Sequence, residues 1–131
     1  LHAEHPGAVR AGDSIHVTLY WEAQQPMEQS YTAFVHLLGG AYNARQGNFL
    51  WGQHDGIPAS GNAPTSSWRV GALVEDEHIV IVDEQAPEGD YQVEVGLYDA
   101  VVPPYLRLPV RDAQGAPVDD RVILDTLRVE R

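Results

Sequence analysis

The feature that most constrains the fold of this chain is an alternation of apolar and polar residues with a period of two. In residues 15–22, and again in residues 91–98, every odd position is apolar or aromatic. Successive side chains of a β-strand point to opposite faces, so this pattern is typical of strands that bury one face. No window of ten residues shows a helical period, and we therefore predict an all-β fold.

The other apolar segments and the residues between them indicate the architecture. Residues 31–38 and 78–82 are apolar on both faces, which is typical of central strands. Weaker strand patterns occur at 48–53, 105–110 and 122–129, and the 9 prolines and 12 glycines fall mostly between segments. About 7–9 short strands predict a single domain with an immunoglobulin-like antiparallel β-sandwich fold. Residues 1–12 are then either flexible or an edge strand, and residues 52–71 form a long loop.

One local pattern favours the immunoglobulin-like class. Pro87 and Gly89 precede Tyr91, which begins the most regular strand pattern of the chain. In such sandwiches a tyrosine near the start of a late strand bonds its hydroxyl to the backbone a few residues upstream. The alternative is an ordinary turn followed by an aromatic strand residue.

The charge of the chain excludes several partners. Its 8 basic residues are all arginine and stand against 19 acidic residues, which gives a net charge of −11. This balance argues against a nucleic-acid or polybasic membrane surface, since both need clustered cations. The absence of cysteine excludes disulfides, thiolate metal sites and cysteine nucleophiles.

Three aspartates at predicted strand ends could form a calcium site. Asp55 lies at the start of the long loop, Asp76 precedes one strand and Asp99 ends another. If these ends meet at one pole of the sandwich, their carboxylates would suit Ca²⁺, which binds oxygen ligands. The alternative is that each aspartate caps a turn by accepting backbone N–H groups, and no spacing matches an EF-hand.

Catalytic and cofactor chemistry has weaker support. His36, His54 and His78 lie in or beside predicted strands, but none of the 6 histidines has the short spacing typical of zinc ligands. Ser60 lacks the strand-to-helix context of a nucleophile, and phosphate-binding glycine loops are absent. We therefore predict a protein that is not an enzyme, with no catalytic residues and no cofactor.

Aromatic residues are the third candidate for a site. Five of them fall in predicted loops or at strand ends: Trp51, Trp68, Tyr42, Tyr98 and Tyr105. Exposed aromatic rings beside carboxylates and amides can hold sugars, because the ring face stacks while the polar groups bond hydroxyls. The alternative is that the rings plug the ends of a small core. The candidate ligand-binding residues are Asp55, Trp68, Asp99, Trp51 and Gln53.

The order of several short motifs resembles a recurrent bacterial domain. The motifs are Gly12-Asp13-x-Ile15-x-Val17-Thr18-Leu19-Tyr20-Trp21, Tyr31-Thr32-x-Phe34-Val35-His36-Leu37, Gln53-x-Asp55-Gly56-x-Pro58, Pro64-Thr65-x-x-Trp68 and Pro87-x-Gly89-x-Tyr91 with Gly96-Leu97-Tyr98-Asp99. Together they resemble the extracytoplasmic C-terminal β-sandwich of bacterial polytopic membrane proteins similar to dolichyl-phosphate-mannose-type glycosyltransferases. The chain departs from that pattern at residues 39–47, where the family has a short Asp-x-x-Gly hairpin.

The resemblance implies an accessory domain outside the cytoplasmic membrane, attached to a membrane-embedded part of a longer protein. The start at Leu1 rather than methionine agrees with that expectation. We therefore predict a non-catalytic binding module that contacts cell-envelope glycans or an envelope protein. The alternatives are a structural or protein-interaction spacer without a small-molecule ligand and a Ca²⁺-stabilised adhesion domain.

Overall fold

A computed structural model describes residues 1–131 and confirms the all-β prediction. It contains eleven strands and one short 3-10 helix, Thr65–Ser67. The strands are β1 (His2–Glu4), β2 (Ala8–Arg10), β3 (Ser14–Glu22), β4 (Thr32–Asn43), β5 (Asn48–Gly56), β6 (Leu73–Ile81), β7 (Gly89–Tyr98), β8 (Val110–Arg111), β9 (Pro117–Asp119), β10 (Val122–Ile123) and β11 (Leu127–Glu130). None of its helical segments is long and apolar enough to cross a membrane.

Two sheets pack against each other around one core. The smaller has the order β1-β3-β6, and the larger has the order β2-β11-β7-β4-β5, with β10 also pairing with β7. Strands β8 and β9 form a separate hairpin. The inner faces meet in a cluster of 19 buried apolar residues to which β3 and β7 contribute their alternating positions. Each such Val, Leu or aromatic side chain contributes roughly 1.5–3 kcal/mol by leaving water.

The boundaries of several strands differ from the sequence prediction. Strand β5 continues to Gly56, so the long loop begins after that residue rather than at residue 52. Strand β6 begins at Leu73, before the predicted apolar segment 78–82. The sequence pattern missed this start because Asp76 and His78 are polar and occupy inward positions, where the pattern requires apolar residues. Residues 105–110 contribute only an isolated bridge at Arg107 and the start of β8. The strand number exceeds the expected 7–9, because five strands are only two or three residues long.

The first ten residues belong to both sheets. Strand β1 pairs antiparallel with β3 in the smaller sheet, and β2 pairs parallel with β11 at the edge of the larger one. Residues 1–12 therefore contribute two edge strands, and Ala3 and Val9 pack against the core.

The expected tyrosine corner is formed. The Tyr91 hydroxyl donates a hydrogen bond to the carbonyl oxygen of Pro87 at 2.6 Å, and the ring is buried. Immunoglobulin-like sandwiches share this feature; assignment to that class stays a prediction.

The β4–β5 hairpin is built around Gly39 and Trp51. A Cβ at Gly39 would lie 2.7 Å from the Trp51 ring and 2.8 Å from the Tyr91 ring, so both rings pack directly on the glycine backbone. The hairpin turns through residues 44–47, and its ladder shifts register after Leu37 and again after Leu38. Residues 39–47 therefore belong to a long, irregular hairpin.

Candidate functional site

The three aspartates considered for calcium have separate partners. Asp55 accepts a hydrogen bond from the Tyr98 hydroxyl at 2.9 Å and lies 3.3 Å from the Nε2 atom of His36. Asp99 accepts the backbone N–H groups of residues 101 and 102 at 2.9 and 3.1 Å, which is the turn-capping alternative. Asp76 is buried and bonds to side chains inside the sandwich. No group of three or more histidine, aspartate or glutamate side chains is arranged to hold a metal ion.

Two of the aromatic residues predicted to hold a sugar are instead buried and fill the ends of the core. Trp51 and Trp68 are each only 7% exposed, and their indole N–H groups donate to the carbonyl oxygens of Ala41 and Ala63. Tyr42 and Tyr105, in contrast, are more than half exposed: Tyr42 touches Phe49 edge-on, and Tyr105 follows the apolar stretch 100–104.

Gln53 is exposed on β5, opposite His36 of β4. It lines a shallow cleft beside Trp51, whereas Trp68 belongs to a larger groove elsewhere on the molecule. The predicted binding residues therefore do not form one site.

The larger groove, of about 690 Å³, lies where the segment 22–31 approaches Trp68 and β8. We call it the end groove. Its floor contains Trp21 and Trp68, whose ring centroids are 6.1 Å apart with planes inclined by 34°. Its rim carries exposed polar side chains: Glu22, Gln24, Gln25, Glu28, Gln29 and Arg111. Met27, Tyr31, Leu97 and Leu108 complete the apolar part of the lining.

Thr65 connects the segment that carries the rim residues to the segment that carries Trp68. Thr65 is fully buried; its hydroxyl donates to the carbonyl oxygen of Gln29 at 2.6 Å and accepts the backbone N–H of Tyr31 at 2.9 Å. The backbone N–H groups of residues 101 and 102, followed by the nearby side chain of Gln29, lower the pKa of the Asp99 carboxyl. Thr65 thus links residues 29–31 to the 3-10 helix that immediately precedes Trp68.

A separate polar cluster lies on the outer face of the larger sheet. We call it the outer cluster, and it consists of His36, Glu94, Arg107 and Arg121. Glu94 is 3% exposed and accepts hydrogen bonds from Arg121 at 2.7 Å and from His36 at 3.0 Å. Burial alone would raise the pKa of Glu94, but the hydrogen bonds from His36 and Arg121 outweigh it and lower the pKa to about 2. Burial would likewise lower the pKa of His36, yet the nearby carboxylates of Asp55 and Glu94 raise it.

The same cluster holds residues 99–123 against the sheet. Arg107 lies 4.3 Å above the centroid of the Phe34 ring and 3.4 Å from Glu94. Phe34 in turn lies on Gly96, where a Cβ would be 2.6 Å from the ring. Arg107 and Arg121 belong to residues 99–123, and Glu94 belongs to the sheet. The cluster is therefore best explained as a structural contact that holds this segment on the sheet.

A third cluster lies between the two sheets and was not expected from the sequence. The Nε2 atom of His78 lies 2.8 Å from Asp76, and its Nδ1 atom lies 2.8 Å from the Nδ1 atom of His54. Asp76 also accepts the Trp21 indole N–H at 3.1 Å. Burial raises the pKa of Asp76, but its bond with His78 and two N–H donors outweigh that effect and lower it.

Comparisons with known proteins do not assign these sites. No protein-family model matches the chain, and no curated protein matches it.

Proposed function

We propose that the domain is a non-catalytic binding module that holds a carbohydrate chain in the end groove. The observation that carries this proposal is a groove in which the edges of two largely buried indole rings, Trp21 and Trp68, lie beside three exposed glutamines. Sugars present apolar C–H faces and a ring of hydroxyls, so they favour an apolar floor with amide groups along its rim. Of the residues predicted to bind a ligand, Trp68 lines this groove, whereas Asp55, Asp99, Trp51 and Gln53 do not.

The charge of the groove favours particular sugars. Its rim carries Glu22 and Glu28 against a single cation, Arg111, on a domain whose net charge is −11. An anionic polysaccharide would be repelled by this field. The proposed ligand is therefore a neutral or N-acetylated oligosaccharide of the cell envelope. This ligand agrees with an extracytoplasmic domain of a membrane-anchored protein, which we retain as part of the proposal.

The test is a titration of the domain with oligomers of N-acetylglucosamine, followed by tryptophan fluorescence and calorimetry. We expect Gln25→Ala and Gln29→Ala each to weaken binding roughly fivefold, because each removes a hydrogen bond worth about 1 kcal/mol. Gln53→Ala is the matched control, since this glutamine is exposed outside the groove. Uronic-acid oligomers should not bind. Equal loss in Gln53→Ala, or no binding of any neutral oligosaccharide at millimolar concentration, would contradict the proposal.

A protein-interaction spacer is the second candidate, favoured by a different surface. Leu73, Ile79 and Ile81 are 70%, 49% and 69% exposed on the outer face of β6, an end strand of the smaller sheet. Apolar side chains in such a position favour contact with another protein surface. Light scattering over a range of concentrations would detect self-association through this face, and Ile81→Thr should abolish it.

A further inference from the structure

The loop that follows β7 exposes an unbroken run of apolar residues. Residues 101–106 are two valines, two prolines, a tyrosine and a leucine, and all six are exposed. Val101 and Leu106 are 80% and 69% exposed, and four of the 13 exposed large hydrophobic side chains of the domain lie in this run. A globular domain usually scatters such side chains singly over its surface, so a continuous run indicates a contact surface. We call residues 100–106 the apolar loop.

Backbone hydrogen bonds close the apolar loop at its base. The N–H of Asp99 donates to the carbonyl oxygen of Leu106 at 2.9 Å. One residue further from the tip, Tyr98 and Arg107 pair in an isolated antiparallel bridge. These bonds hold the two ends of the loop together at the end of β7, while its side chains stay exposed.

The backbone donors at the tip of the loop need no acceptor from outside. The N–H groups of Val101 and Val102 donate to the Asp99 carboxylate, and the N–H of Tyr105 donates to the carbonyl oxygen of Val102 at 3.0 Å. The two residues between Val102 and Tyr105 are prolines, which have no N–H. An unpaired N–H is costly in an apolar medium, so this part of the loop can leave water without that cost.

The charge along this segment also differs from that of the whole domain. The chain has a net charge of −11, yet residues 100–111 contain no acidic residue and two arginines, Arg107 and Arg111. Asp99, the carboxylate at the base of the loop, is already bonded to two backbone N–H groups. An apolar medium can therefore cover the loop without burying an unpaired carboxylate, which would be expensive to take out of water.

We propose that the apolar loop inserts into the boundary between the headgroups and the acyl chains of a lipid bilayer. Tyrosine is typical of this depth, because its ring leaves water while its hydroxyl stays hydrated. The insertion is shallow, since irregular backbone does not enter the hydrocarbon core. The contact is apolar and differs from the polybasic contact that the charge argues against. It is also separate from the end groove, which none of residues 100–106 lines.

A protein partner matches the apolar loop less well than a bilayer does. Interfaces between proteins carry about one hydrogen bond per 100–200 Å². The side chains of residues 100–106 offer one polar group, the Tyr105 hydroxyl, and the N–H groups of the tip are already used. A bilayer requires no such bonds from the loop.

The test is flotation of the whole domain with phosphatidylcholine vesicles at low and at high salt. We expect binding in both conditions, because salt screens charges but not the transfer of apolar groups. Val101→Ser/Leu106→Ser should lower the partition coefficient at least about tenfold, since both side chains leave water on insertion. Leu73→Ser/Ile81→Ser is the matched control, because these side chains are comparably exposed on β6, and it should bind as the wild type does.

A fluorescent label locates the contact. The chain contains no cysteine, so Val102→Cys provides a single thiol for an environment-sensitive nitrobenzoxadiazole label. Its emission should rise and shift to the blue when vesicles are added, whereas the same label at Ile79→Cys on β6 should not respond.

Four results would overturn the proposal. The first is no binding of the wild type at millimolar phosphatidylcholine, and the second is an equal loss of binding in Leu73→Ser/Ile81→Ser. The third is binding that needs anionic lipid and disappears at high salt. The fourth is self-association in place of vesicle binding, abolished by Val101→Ser/Leu106→Ser, because the occupant would then be a second copy of the chain.

Discussion

Replacement of Glu94 by glutamine tests whether the outer cluster stabilises the fold. Glu94 is buried, and its two oxygens accept bonds from Arg121 and His36. Glutamine has nearly the same shape but no charge, so the variant leaves these cations beside a neutral amide. We expect Glu94→Gln to be strongly destabilised at pH 7.

The size of the effect follows from the pKa of Glu94. A fall from 4.5 to about 2 corresponds to about 3 kcal/mol of preferential stabilisation of the charged form, at about 1.4 kcal/mol per pH unit. Removal of one partner from a buried ion pair typically costs about 3–5 kcal/mol, which agrees. Because the folded-state pKa is lowered, this stability is present above pH 4.5 and is lost as the pH falls towards about 2.

The assay is urea unfolding of wild type and variant, followed by tryptophan fluorescence, at several pH values between 7 and 3. The difference in free energy of unfolding should be about 3 kcal/mol at pH 7 and should narrow below pH 4.5. Glu88→Gln is the matched control, because Glu88 is exposed and pairs with Arg128 at the surface. Its loss should stay below about 1 kcal/mol. A comparable loss in both variants, or a difference that is independent of pH, would refute the reasoning.

Two further predictions concern the same face of the sheet. Gly96→Ala should lower the free energy of unfolding by about 1–3 kcal/mol, because its Cβ would lie 2.6 Å from the Phe34 ring. Gly40→Ala, where no atom lies within 4 Å of the new Cβ, should change stability far less in the same urea assay. For His36, whose pKa is raised, the charge stabilises the fold below pH 6.5, and the contribution is lost as the pH rises through the folded-state pKa. The difference in unfolding free energy between wild type and His36→Gln should therefore narrow between pH 6 and 9; a constant difference would contradict this.

The sequence predicted the fold best where polar residues occupy only outward positions. Strands β3 and β7 agree with their alternating patterns to within one or two residues, since their inward side chains are almost all apolar. The first half of β6 was missed, because Asp76 and His78 point inward and are bonded to each other. A buried polar pair removes the apolar signal on which periodicity depends, and its partner cannot be identified from one strand.

The end groove was only partly predictable. Trp68 was a candidate because it is an aromatic residue within the predicted long loop 52–71, but the glutamines that form the rim were not. They line the same groove as Trp68 because Thr65 bonds to the backbone of Gln29 and Tyr31, more than 30 residues earlier in the chain. No periodic pattern encodes a contact between two irregular segments so far apart. The alternative in which aromatic rings plug the core describes Trp51 and Trp68, and both rings bond to carbonyl oxygens of nearby residues.

The parallel pairing of β2 with β11 also determines how the domain responds to tension. Because the two strands run in the same direction, the residues before β2 and those after β11 leave the pair at opposite ends. A pull between these ends slides one strand along the other, so the hydrogen bonds of the pair resist together; antiparallel strands would separate one bond at a time. The bond from Arg128 to Gly7 and that from Ala11 to Glu130 extend this load-bearing ladder. The domain therefore has the geometry of a mechanical clamp.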